Sequence, residues 1–111
     1  MTYHNHEDAI EFGSSPGHQY GLLIDERHGA VNGVRVGVSL YDETDYASPG
    51  VHEFQETFYV VTGRGRAKIG EQEFAIRPGS AFVAPAGTPH AIRREPTSEP
   101  VKIIWSHAPC S

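Results

Sequence analysis

The sequence predicts an all-β fold, a small barrel or sandwich of short antiparallel strands, and three observations carry this. Val34, Val36, Val38 and Leu40 alternate strictly with Arg35, Gly37, Ser39 and Tyr41, the period-2 signature of a half-buried strand. From Gly63 onward, short apolar runs recur between turns marked by glycine or proline, the spacing of hairpins. No stretch of useful length shows a helical period, and neither an internal repeat nor a low-complexity tract is present.

Taken in order, His4-Asn5-His6 has the spacing of a chelating pair, but nothing apolar nearby anchors it, so the reading is a mobile polar end. Gly13 to Gly17 is a dense turn cluster. Tyr20 to Ile24 reads as a first short strand, and Asp25 to Gly33 as a polar connection closed by the hairpin signal Asn32-Gly33. The strand from Val34 to Tyr41 should turn its valine row to the interior, with Arg35 and Tyr41 outside. Asp42 to Gly50 is a long acidic loop, either a solvated connection or a functional rim. Phe58 to Val61, Ala67 to Ile69 and Phe74 to Ile76 are strands separated by turns at Gly63-Arg64-Gly65 and Gly70-Glu71-Gln72. Val101, Ile103 and Trp105 alternate with Lys102, Ile104 and Ser106. A strand apolar on nearly both faces suits a dimer interface, and Trp105 reads as core or interface rather than a substrate platform.

The 111 residues suit one domain, with 1–33 as an N-terminal arm and strands and 34–107 as the barrel core. A formal net charge of −5 argues against nucleic acid as a partner. The lone cysteine, Cys110, forbids an intramolecular disulfide and points to a reducing compartment. There is no apolar leader and no run approaching a membrane span. The expectation is a cytoplasmic protein with no membrane partner.

Two stretches carry chemistry. In Gly79 to His90, a short apolar run is followed by the bend Pro85-Ala86-Gly87, which delivers His90 from a rigid turn to the start of the next strand. Upstream, His52, Glu56, Phe58 and Val60 share one parity, so an extended chain turns a histidine and a carboxylate inward together. A buried carboxylate costs several kcal/mol unless it is paired or coordinates a metal. His52, Glu56 and His90 can satisfy it by holding a divalent cation. The alternative is a metal-free pocket in which the two imidazoles hydrogen-bond Glu56.

These stretches resemble the cupins, small jelly-roll barrels defined by two motifs. The second motif, G-x5-P-x-G-x2-H-x3-N, is matched at Gly79, Pro85, Gly87 and His90, with Arg94 where asparagine is expected. The first, G-x5-H-x-H-x3-4-E-x6-G, is matched at His52, Glu56 and Gly63, with Gly50 standing at the first histidine. The resemblance spans Val34 to Trp105 and implies a cupin jelly-roll β-barrel, an antiparallel double-sheet barrel. It also implies a small-molecule ligand and a homodimer.

Two imidazoles and one carboxylate suit one divalent transition metal, Fe, Mn, Ni or Zn, over Mg or Ca. With Gly50 in place of a histidine, coordination positions stay open to water or substrate. Arg94, on the parity of His90, and Phe58, on that of Glu56, are candidates for contacting substrate. By analogy the reading is an enzyme of dioxygenase, isomerase, decarboxylase or lyase type acting on a small polar metabolite. The alternative is a non-catalytic binding or sensing module. A fourth ligand could come from His4, His6 or His107.

Overall fold

A computed structural model describes residues 1–108, so Cys110 lies outside the described residues. Nine strands form two antiparallel sheets: β1 (Gly13–Ser15), β2 (His18–Ile24), β3 (Arg35–Tyr41), β4 (Gln55–Thr62), β5 (Gly65–Ile69), β6 (Gln72–Ile76), β7 (Ala81–Ala84), β8 (His90–Arg94) and β9 (Val101–Ala108). One sheet has the order β1-β2-β3-β9-β4-β7 and the other β6-β5-β8. The only helical segments among the described residues are two three-residue 3₁₀ turns, Glu7–Ala9 and Glu26–His28. The predicted antiparallel jelly roll is what the chain forms.

The core lies between the sheets. Phe58 and Val60 of β4, Ala67 of β5, Ile76 of β6, Ile92 of β8 and Ile103 of β9 are buried there together. Each large aliphatic side chain so removed from water contributes roughly 1.5–3 kcal/mol. On β4 the inward row is Glu56, Phe58 and Val60, the parity read from the sequence.

On β3 the facing is opposite to the sequence reading. Arg35, Ser39 and Tyr41 line the internal cavity, while Val38 lies outside the central cluster yet is fully buried. The N-terminal arm explains this. Ile10 sits where a side chain at Gly21, the β2 partner of Val38, would stand. Glu7 meets Lys102, the β9 partner of Leu40, at 2.6 Å, and Asn5 Nδ2 donates to the Leu23 carbonyl at 3.1 Å. The segment expected as a mobile polar end is thus docked over the outer face of the larger sheet.

β9 runs between β3 and β4 in the middle of the six-stranded sheet, with Val101, Ile103 and Trp105 buried. Trp105 packs over β3, its six-membered ring occupying the space above Gly37, and its Nε1 donates to Ser39 Oγ at 2.9 Å. Gly13 to Gly17, read as turns alone, folds as the β1–β2 hairpin. Asn32 and Gly33 take positive φ, 57° and 76°, as the predicted turn into β3 requires.

Candidate metal centre and its cavity

The turn between β7 and β8 builds one side of the site. Gly87 has φ of 75°, a left-handed conformation that glycine adopts without steric cost, and its amide donates to the His52 carbonyl at 2.7 Å. Gly50 and His90 exchange two backbone hydrogen bonds, each 2.9 Å. The turn that positions His90 therefore also anchors the segment carrying His52. That segment is irregular, because β4 begins only at Gln55, so His52 enters the site from a bend and not from the extended strand predicted for it. Its ring stacks on Phe54 at 4.8 Å.

Glu56 lies at the centre of the cluster and is only 7% exposed. Its Oε1 faces His52 Nε2 at 3.5 Å and His90 Nε2 at 3.4 Å. Its Oε2 faces His107 Nε2 at 3.3 Å, since Glu56 and His107 are register partners across β4 and β9. Oε1 has no hydrogen-bond partner among the described residues, because close approach without N–H···O alignment is not a hydrogen bond.

Burial pushes the Glu56 carboxyl up, but the imidazoles of His107 and His90 reverse this and hold its pKa at about 2. Glu56 is therefore an anion at neutral pH. Burial lowers the pKa of His52, opposed by the Glu56 charge and reinforced by His90 and His107. His52 is thus available as a neutral donor, the form a metal ligand needs. One donor atom each from His52, Glu56 and His90 lies within 4.8 Å of the others. An orphaned buried oxygen facing two imidazole nitrogens fits a divalent cation in donor type and number.

His107 is the residue that sequence motifs passed over as a member of this cluster, appearing only among possible extra ligands. Its one signal is parity: it continues the inward row Val101, Ile103, Trp105. Its ring stacks on Trp105 at 4.5 Å.

The cluster opens into a cavity of about 550 Å³ between the sheets, within the usual range for small-molecule sites. Across it, His18 and Tyr41 stack at 4.8 Å. Burial lowers the pKa of His18, against the pull of Glu56, and raises that of Tyr41, helped by the Glu56 charge.

The two substrate candidates are elsewhere. Arg94 is bound up with the chain around it: Nε donates to the Asp42 carbonyl at 3.1 Å and Nη1 to the Ser98 carbonyl at 2.9 Å. It also pairs with the Asp42 carboxylate at 3.3 Å and does not line the cavity. This arginine buckles two loops together. Phe58 is buried in the core, stacked on Phe82 at 4.7 Å, and is likewise absent from the cavity wall.

A search of curated protein sequences returns no match. Among solved structures, the chain is similar to the polyketide cyclase RemF from Streptomyces resistomycificus, with a TM-score of 0.79, 21% identity, and coverage of 100% of this chain and 81% of that one. It is similar to an RmlC-like cupin from Shewanella frigidimarina, with a TM-score of 0.78, 14% identity, and 99% and 93% coverage. KdgF from Halomonas sp. matches with a TM-score of 0.71, 24% identity, and 96% and 94% coverage. At these identities the likeness is one of fold. A family model described as a cupin domain matches residues 38–107, most of the chain and every residue of the cluster, and the protein belongs to that cupin family.

Proposed function

We propose that this protein is a metal-dependent cupin enzyme acting on a small molecule held at His52, Glu56 and His90. The observation that carries the reading is Glu56, a buried carboxylate whose Oε1 has no hydrogen-bond partner and faces two imidazole nitrogens. Leaving a charged acceptor bare in the interior costs more than the ~1–3 kcal/mol of a neutral one. Coordination to a cation removes that cost. The donor set suits Fe, Mn, Ni or Zn. When bound, such an ion supplies Lewis-acid polarisation of a substrate oxygen.

The chain's own residues do the rest. His107 holds Glu56 from its other oxygen. His18, kept neutral by burial, is a proton acceptor on the far wall, and Tyr41, kept protonated, is a donor beside it.

A second reading, a non-catalytic binding or sensing cupin, has its own support. Nδ1 of His90 and Nδ1 of His107 are buried without a partner, whereas metal-bound histidines ordinarily donate their second nitrogen to a fixed acceptor. Elemental analysis of protein purified without chelator or His-tag separates the two. About one equivalent of metal, lost in both Glu56→Gln and His90→Ala, supports the first reading. Metal-free protein that gains none on titration supports the second.

The reading includes a homodimer in the cytoplasm. Tyr59, Val61 and Val83 support the dimer, as exposed apolar side chains on the outer face of β4 and β7 beside a sheet edge. Among the described residues no helix is long and apolar enough to cross a membrane.

A further inference from the structure

The sequence suggests a small polar metabolite, but the cavity wall has a different character. Away from the histidine cluster it is built by Tyr20, Leu22, Tyr41, Ile92 and Trp105. Among the described residues no lysine lines it, and the one arginine that does, Arg35, is exposed at the start of β3. A phosphorylated or polycarboxylate ligand therefore meets no buried lysine or arginine in this wall. The carboxylate and three of the imidazoles stand together at one end, as Glu56, His52, His90 and His107, and the opposite wall adds the His18 ring and the Tyr41 hydroxyl.

Trp105 gives the wall its shape. An ideal Cβ at Gly37 would fall 2.1 Å from Trp105 Cζ2 and 2.5 Å from Cε2 and Cη2. The indole therefore lies across the β3 backbone where glycine leaves room. Its N–H is already taken by Ser39, so toward a ligand it offers ring surface and no donor. His107 stacks along it at 25° between planes, which carries the aromatic wall directly to the ligand cluster. On the far side Tyr41 and His18 form a second stacked pair, 16° between planes.

From this we infer that the cavity takes a flat, largely apolar molecule, a fused aromatic ring with two adjacent oxygen donors, its oxygens at the histidine cluster and its rings along Trp105. The paired oxygens rest on the metal reading proposed above; the ring does not. A volume of about 550 Å³ accommodates a fused bicycle with room for substituents. Aromatic surface packed on aromatic surface adds to the apolar burial.

Calorimetry with 2,3-dihydroxynaphthalene and with lactate as probes, on metal-free and Zn(II)-loaded protein, tests the inference. The indole N–H resonance of Trp105, the chain's single tryptophan, reports occupancy independently. The expected result is that the diol binds at least about tenfold tighter than lactate in both forms, from the apolar area it buries, and shifts the indole signal. Tyr20→Ala, at a half-exposed wall position, should weaken the diol several-fold and leave lactate unchanged, with Tyr20→Phe restoring it. Lactate binding as tightly as the diol, or diol binding that leaves the indole and the Tyr20 variants unmoved, overturns the inference, as does binding of neither. Diol binding by protein that takes up no Zn(II) removes the metal reading and leaves the ring assignment standing.

Discussion

Gly50 and His90 face each other as a two-bond backbone bridge, and a Cβ at position 50 would stand 3.2 Å from His90 Nε2 and 3.9 Å from His52 Nε2. The place where this chain lacks a motif histidine is therefore directed at the ligand cluster, and it is a tight one. A methyl there crowds His90 without offering a donor, whereas an imidazole reaches the site with one. Gly50→Ala should weaken Zn(II) binding a few-fold. Gly50→His should tighten it and weaken ligand binding, because a coordination position is filled. Chelator competition, with the Co(II) visible spectrum reporting coordination number, measures both. Equal affinities in all three proteins would remove position 50 from the site.

Acid should destabilise the metal-free protein in two steps. His52 and His18 have folded pKa values below the 6.5 of the unfolded chain. The folded state then binds fewer protons, so stability is complete above 6.5 and falls as pH drops through and below it. Glu56 falls from 4.5 unfolded to about 2 folded, and its contribution is lost between those values as pH falls. Melting temperatures at about pH 8, 6 and 4 should decrease in order. Glu56→Gln should flatten the lower limb, and His18→Gln the upper. A melting temperature that rises on acidification contradicts the assignment.

Gly37→Ala should cost roughly 1–3 kcal/mol or more, the range for overpacking a close-packed site, because the added methyl meets the Trp105 ring. Urea denaturation gives the loss, and the near-ultraviolet circular dichroism of Trp105 should change with it. Ser39→Ala removes the hydroxyl that accepts from the indole and leaves that buried N–H without its acceptor, a loss of about 1–3 kcal/mol. Equal stability of wild type and Gly37→Ala would contradict the packing described.

The proposed dimer should have twice the 12.2 kDa chain mass in light scattering at micromolar concentration. Tyr59→Glu, 52% exposed in the single chain, should dissociate it with little effect on monomer folding. A single-chain mass for the wild type rejects the dimer.

Metal affinity should fall as pH drops through the imidazole range near 6.5, where protons compete for the donor nitrogens. Calorimetric Zn(II) titrations at about pH 7.5 and 5.5 measure it. Affinity unchanged across that interval would point to a site without histidine ligands.

Much of this molecule follows from local pattern. The strands of β4 and β5, the inward parity of Glu56 and the left-handed turns at Gly79 and Gly87 rest on alternation and turn chemistry, which act over a few residues. Alternation alone, however, says only that two faces of a strand differ. Which face of β3 meets the cavity was decided by the arm, because Ile10 and Glu7 cover the valine side from more than twenty residues away. The same holds for His107, placed at Glu56 Oε2 by the β4–β9 register, and for Arg94, drawn from the mouth by carbonyls of two loops. Composition and local spacing determined the fold and three of the four clustered residues. Long-range register and the docked arm, whose energies depend on contacts between distant segments, decided the wall of the cavity and the fourth.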